Sequence, residues 1–116
     1  MKKKLKKVLI VDDDPNQIKL IKLYLKNTDL EISTAKNGRH AIHILKDNVF
    51  DIILTDYQMP EMDGETLIGT IRNELKLLIP IVMISANDQQ PNLSKYKNIK
   101  ILKKPFTSEQ IKKIFK

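Results

Sequence analysis

Short runs of consecutive apolar residues, each followed by polar residues, are the clearest pattern along the chain. Three runs rich in β-branched residues are Lys7–Val11, Ile52–Thr55 and Ile81–Ile84. Continuous apolar runs of this length are typical of strands that are buried on both faces. Two weaker runs, Leu30–Ala35 and Ile99–Lys103, predict further strands. The pattern therefore predicts five strands.

Apolar residues between these runs recur at helical spacing. Asp14 and Pro15 predict a helix start, with the aspartate as N-cap and the proline in the first turn. Further helices are predicted over residues 41–45, 67–75 and 107–115. The polar stretch 87–98 predicts only a short or frayed fourth helix. Alternating strands and helices indicate a parallel sheet covered on both faces, and residues 1–116, with no linker, are predicted to form one domain.

Polar residues follow four of the predicted strands. These residues are Asp12, Asp13 and Asp14 after the first strand, Asp56 after the third, Ser85 after the fourth and Lys104 after the fifth. Ligands of open parallel sheets bind at the carboxyl ends of the strands, where the strand order reverses. The strand pattern therefore predicts that carboxylates, one hydroxyl and one ammonium group meet at one rim.

Composition narrows the class of protein. The absence of cysteine excludes disulfide scaffolds and thiolate metal sites, and is consistent with a cytoplasmic location. No run approaches the roughly 20 apolar residues of a membrane helix. The net charge is +7, but five of the 21 basic residues lie in Lys2–Lys7, leaving +2 for the rest. Residues 1–6 are predicted to form a basic tail, and neither membrane insertion nor direct nucleic-acid binding is predicted.

The predicted rim has the chemistry of phosphoryl capture. Several carboxylates within a few ångströms repel one another unless a cation lies among them, and Mg²⁺ prefers such oxygen ligands. A carboxylate can attack phosphorus and form an aspartyl phosphate. A metal ion and a lysine can neutralise the transferring group, to which a hydroxyl can also donate. No residue of the set is an obvious base for rapid hydrolysis, which favours a switch over a fast phosphatase.

Four segments of the chain resemble a response regulator receiver domain of two-component signalling, of the chemotaxis-regulator kind. They are VLIVDDDP at 8–15, DYQMPEMDG at 56–64, ISA at 84–86 and KKPF at 103–106. The second segment is very specific, and the resemblance covers essentially the whole chain. It implies a flavodoxin-like (βα)5 fold, a doubly wound α/β structure whose five-stranded parallel sheet has strand order 2-1-3-4-5.

The resemblance also implies roles for the rim residues. The Mg²⁺ or Mn²⁺ site is assigned to Asp12, Asp13, Asp56 and the backbone carbonyl of Gln58. Asp56 is implied to be the phosphoacceptor, Ser85 the switch hydroxyl and Lys104 the lysine that contacts the phosphoryl group. A cis peptide bond is implied between Lys104 and Pro105.

The implied partners are a sensor histidine kinase or histidine phosphotransfer protein, and a downstream protein on the face formed by the fourth helix, fifth strand and fifth helix. The domain would catalyse its own Mg²⁺-dependent phosphorylation without being a turnover enzyme. Self-dephosphorylation is predicted to be slow, because Gln58 and Asn87, beside the path of the attacking water, are both neutral.

Two features depart from the family pattern. Ile101 occupies the position, three residues before Lys104, where the family commonly has a rotating aromatic residue. The segment between Ser85 and Lys104 is also short, so an atypical fourth helix is expected. These departures favour an alternative, a degenerate receiver that acts as a docking module without phosphorylation.

A second alternative is a phosphatase of the haloacid-dehalogenase type, with Asp12 as nucleophile and Asp14 as acid. That interpretation leaves the segment 56–60 unexplained, and the chain is short for such a fold. His40 and His43 are predicted to be surface residues, since no further ligand lies near them in the sequence.

Overall fold

The computed structural model describes residues 5–86 and 91–115. These residues contain one five-stranded parallel sheet. The strands are β1 (Lys6–Val11), β2 (Leu30–Ala35), β3 (Ile52–Asp56), β4 (Ile81–Ala86) and β5 (Ile99–Lys104). Their order in the sheet is β2-β1-β3-β4-β5, and all four pairings are parallel. The predicted strand order and sheet type are confirmed.

Burial of the strands follows the sequence pattern. All of β3 is buried, as are residues 8–11 of β1 and 81–85 of β4. The edge strands β2 and β5 are partly exposed, which explains their weaker apolar runs. Lys6 was assigned to the basic tail, but it pairs with Leu30 as the first residue of β1. Residues 1–4 of that tail lie outside the described part of the chain.

Helices cover both faces of the sheet. They are α1 (Pro15–Tyr24), α2 (Gly38–Asp47), α3 (Gly64–Gly69) and α4 (Ser108–Lys113), which is the fifth helix predicted from the sequence. Each helix begins at a side chain that accepts a backbone N–H of the first turn: Asp14, Asn37, Asp63 and Thr107. The N-cap predicted at Asp14 is therefore confirmed.

Two apolar clusters form the core, one on each face of the sheet. On one face, Ile21 of α1 and Ile111 of α4 pack against β1, β3 and β4. On the other face, α2 and α3 contribute buried residues such as Leu45 and Leu67. The sheet is therefore covered as a doubly wound fold requires, and none of the described helices is long and apolar enough to cross a membrane.

The third and fourth helices differ from the sequence prediction. The predicted third helix changes after α3 into a π-helical turn, Thr70–Glu74, in which the Leu75 N–H donates to the Thr70 carbonyl at 3.0 Å. Between β4 and β5, the described residues 91–98 contain turns and bends but no helix; residues 87–90 lie outside the described part. Among residues 91–98 only Leu93 is buried, so little apolar packing is available there to stabilise a helix.

Candidate functional site

The carboxyl ends of β1, β3, β4 and β5 meet at one rim of the sheet. Strand order reverses between β1 and β3, the place where open sheets of this type bind ligands. An open depression of about 280 Å³ lies at this point, lined by rim residues that include Asp12, Asp13, Asp56 and Lys104. The predicted convergence of the carboxylates and the ammonium group is therefore present, whereas Ser85 is not among the residues that line the depression.

Three carboxylates form the centre of the rim. Asp12, Asp13 and Asp56 each offer an oxygen, and these oxygens all lie within 4.8 Å of one another. Asp12 and Asp56 are buried, while Asp13 is exposed. Such a set fits a hard divalent cation, which takes several carboxylate oxygens and completes its coordination with water or phosphate oxygens.

Burial changes the acid–base behaviour of Asp12. Removal from water raises the pKa of its carboxyl group to about 6, and the charges of Asp56 and Asp13 act in the same direction. The N–H of Asp14, which donates to Asp12 Oδ1 at 2.9 Å, and the charge of Lys104 act in the opposite direction. Burial and like charge thus disfavour the ionised form of Asp12, which a bound cation would favour.

Lys104 makes a direct ion pair with Asp56. Its Nζ lies 2.8 Å from Asp56 Oδ1, and the aspartate is buried while the lysine remains partly in solvent. The peptide bond between Lys104 and Pro105 is cis, as the resemblance implied. Lys104 therefore holds one carboxylate oxygen of Asp56 and places a positive charge at the depression.

Ser85 lies at the carboxyl end of β4 and is fully buried. Its Oγ has no hydrogen-bond partner in the described part of the protein. A buried hydroxyl without a partner is uncommon, because its desolvation is not compensated. An unused donor at the rim fits the arrival of an oxygen-rich group.

Backbone contacts fix the loop that carries Gln58. The Tyr57 N–H donates to the Ile84 carbonyl at 2.8 Å, and the Gly64 N–H donates to the Tyr57 carbonyl at 2.7 Å. Gln58 lines the depression, but the role of its carbonyl as a metal ligand stays a prediction.

Gly64, the last residue of the DYQMPEMDG segment, packs closely against the rim. A Cβ at this position would lie 2.6 Å from the Asp56 carbonyl oxygen and 2.6 Å from Met83 Sδ. The start of α3 therefore packs directly against the backbone of the candidate phosphoacceptor. A glycine at the first position of a helix, where it is not the preferred residue, was the available signal.

Other polar residues lie outside the centre of the site. The Asp14 side chain accepts the Asn16 N–H at 2.9 Å and serves as a helix cap. His40 lies on α2, where its Nδ1 accepts the Lys36 N–H at 3.1 Å. Gln17 lines the depression from the first turns of α1 and was not singled out in the sequence, although it follows Asp14 by less than one helical turn. Asn87 lies outside the described residues.

Comparison with known proteins agrees with this geometry. The family model described as response regulator receiver domain matches residues 8–116. The chain belongs to the response regulator receiver family. This receiver domain is 36% identical over 91 residues to two-component response regulator ORR26 of Oryza sativa and 35% identical over 85 residues to transcriptional regulatory protein SrrA of Staphylococcus aureus. The matches cover 77% and 73% of this chain but only 15% and 34% of those relatives.

Solved structures show the same fold. A CheY-like receiver domain protein from Methanospirillum hungatei superposes with a TM-score of 0.82 at 32% identity, covering 94% of this chain and 90% of that one. Chemotaxis protein CheY4 of Vibrio cholerae superposes with a TM-score of 0.84 at 28% identity, covering 97% of both chains. This chain therefore shares its fold with these two proteins over nearly the whole length of each solved chain.

Proposed function

We propose that this receiver domain is a phosphorylation-dependent switch that accepts a phosphoryl group on Asp56. The observation that carries the proposal is the ion pair of 2.8 Å between Lys104 and Asp56 beside the acidic cluster of Asp12 and Asp13. The proposed donor is a phosphohistidine of a sensor histidine kinase or of a phosphotransfer protein.

Each rim residue would have a distinct part in the transfer. The carboxylate oxygen of Asp56 would attack phosphorus, forming an O–P bond as the N–P bond breaks and its electron pair returns to the imidazole of the donor. Bound Mg²⁺ would neutralise charge on the transferring oxygens. The ammonium group of Lys104 would contact one phosphoryl oxygen, and the Ser85 hydroxyl would donate to another. The partnerless Ser85 Oγ supports this assignment.

The remaining expectations belong to the same proposal. The domain would act in the cytoplasm and pass its signal to a protein, rather than bind DNA or insert into a membrane. It would not be a turnover enzyme, and self-dephosphorylation would be slow because Gln58, at the depression, is no general base.

Intact-mass spectrometry with acetyl phosphate and Mg²⁺ tests the proposal. The expected result is one phosphoryl adduct that is absent from Asp56→Asn and requires the metal. The absence of an adduct, together with no metal-dependent beryllofluoride binding, would contradict the proposal. Rapid turnover of a phosphate ester that Asp12→Asn abolishes and Asp56→Asn does not would instead support the dehalogenase-type phosphatase.

A degenerate receiver that docks without phosphorylation is the second candidate. It is favoured by Ile101, whose side chain lies exposed on β5, and by the lack of a helix in residues 91–98. Under this alternative, partner binding would be the same for the wild type and Asp56→Ala, whether or not acetyl phosphate is present.

A further inference from the structure

The outer edge of β5 offers unpaired backbone groups. Because the Ile81 N–H donates to the Asn98 carbonyl, the parallel ladder directs the groups of Lys100 and Leu102 towards β4. The N–H and C=O of Ile99 and Ile101 therefore point away from the sheet. No residue of the described chain donates to them or accepts from them. An exposed strand edge of this kind is a template for an added strand.

An apolar groove runs beside this edge, on the sheet face where a fourth helix would lie. Leu93 is buried, Tyr96 is half-buried and Ile101 is 45% exposed, and together they line an open volume of about 440 Å³. Side chains of an added strand alternate between its two faces. Every second side chain of such a strand could therefore enter the groove.

The chain holds this edge in place before any partner arrives. Arg72 Nη2 donates to the carbonyls of Ile79, Lys97 and Asn98 at 2.8, 3.0 and 3.4 Å. Asn98 Nδ2 donates to the Leu78 carbonyl at 3.1 Å. The segment before β5 is thus tied to the segment before β4, so little backbone freedom would be lost on binding.

Charge along the chain is strongly segregated. Residues 8–90 contain eight basic and thirteen acidic residues, whereas residues 91–116 contain eight lysines and only one acid, Glu109. The net charge of the chain outside Lys2–Lys7 is only +2, and this small sum conceals the division. Lys97 lies just before β5 and Lys100 within it, on the face opposite Ile99 and Ile101, and both side chains are exposed. The surface around the unpaired edge therefore complements negative charge.

We infer that the β5 edge docks an acidic, extended segment of a partner protein, which adds to the sheet as a sixth strand. Its backbone would pair with Ile99 and Ile101, its apolar side chains would enter the groove, and its acidic side chains would lie near Lys97 and Lys100. This inference rests on the proposed function, because it gives the chemistry of the partner that the switch would contact.

The same observations disfavour other occupants. Nucleic acid could use the lysines and place a base in the groove, but it has no amide backbone to extend a strand ladder. A second copy of β5 would bring the lysines of two edges together, and like charges on neighbouring strands destabilise the pair. An acidic polypeptide could pair with the β5 edge, place apolar side chains in the groove and complement the charge of the lysines.

Fluorescence anisotropy with a labelled, end-blocked peptide of alternating glutamate and valine tests the inference on the full chain. The expected result is saturable binding, with none for a lysine–valine peptide. Lys100→Glu should weaken binding by about three- to tenfold. Ile101→Pro, which removes an outward N–H, should weaken it about fivefold or more. Lys26→Glu, between α1 and β2, should leave binding unchanged.

A peptide methylated on the amide nitrogens that would face β5 tests the backbone pairing without altering the protein, should Ile101→Pro fold poorly. Equal binding of the methylated and unmethylated peptides, or no binding of either, would overturn strand addition. So would binding of a single-stranded oligonucleotide instead of the peptide, or a dimer that Ile101→Pro dissociates. The phosphoryl adduct on Asp56, measured in parallel, shows whether the proposed function fails separately.

Discussion

At the scale of single residues, Asp12 is a carboxyl group that the fold holds out of water. It is 3% exposed, and its pKa is raised to about 6 from an ordinary value of 3.8. Between these two values the folded protein binds a proton that the unfolded chain has released. Without metal, the stability of the protein should therefore fall as pH rises through this window, by at most about 3 kcal/mol.

Asp12→Asn should remove this loss. Urea unfolding in EDTA is expected to show the variant more stable than the wild type at pH 8, by about 1–3 kcal/mol more than at pH 4. Titrations of groups that do not interact with Asp12 are common to both proteins and cancel in the comparison. A stability difference that is the same at both pH values would contradict the assignment.

Removal of the buried Ser85 hydroxyl is expected to stabilise the protein. Because its buried Oγ has no described partner, Ser85→Ala should raise the free energy of unfolding by about 1 kcal/mol without abolishing the phosphoryl adduct. Thr55→Val is the matched control: the Thr55 hydroxyl donates to the Asp56 carbonyl at 3.1 Å, so its loss should destabilise the protein. Equal destabilisation of both variants in thermal unfolding would disprove the prediction.

At the scale of elements, the start of α3 positions the end of β3. Gly64→Ala would place a Cβ against the Asp56 carbonyl and Met83, and should cost about 1–3 kcal/mol while slowing phosphorylation. In Gly69→Ala the nearest atom is the Tyr96 hydroxyl at 2.9 Å, the movable end of a side chain. That variant should keep the wild-type rate of adduct formation, and a shared rate defect would refute the distinction.

The π-helical turn after α3 carries Arg72, whose guanidinium group bonds to the segment before β4 and to the segment before β5. Its Nη1 donates to the Leu77 carbonyl at 2.7 Å, and burial lowers the pKa of the guanidinium group. Arg72→Met should destabilise the protein by about 2 kcal/mol and increase amide exchange in residues 75–80 and 97–98. Arg39→Met, at an exposed position of α2, should change neither measurement. Exchange confined to other segments would argue against this bridge.

At the scale of the whole molecule, the acidic rim should couple metal binding to folding. The oxygens of Asp12, Asp13 and Asp56 are close only in the folded state, so Mg²⁺ should raise the free energy of unfolding. The expected gain is about 1.4 kcal/mol at ten times the dissociation constant. Asp13→Asn should lose most of this gain in thermal unfolding with and without Mg²⁺, whereas Asp47→Asn on α2 should retain it.

Much of the fold could be predicted because local patterns report local structure. The strands predicted at Lys7–Val11 and Ile52–Thr55 differ from β1 and β3 by a single residue each. Where packing is weak, prediction was less accurate: the fourth helix is absent from residues 91–98, and a π-helical turn replaces the end of the third. Both depend on neighbours that are distant along the chain.

By itself, the sequence determined which chemical groups follow each strand, since alternation and burial patterns are local and parallel strands share one rim. The strand pattern therefore assigns Asp12, Asp56, Ser85 and Lys104 to one rim. Only the tertiary structure decided how these groups interact. It raises the pKa of Asp12, pairs Lys104 with Asp56, leaves the Ser85 hydroxyl without a partner among the described residues and leaves the edge of β5 open. Desolvation and hydrogen bonding depend on atoms brought together by folding, which sequence spacing does not specify.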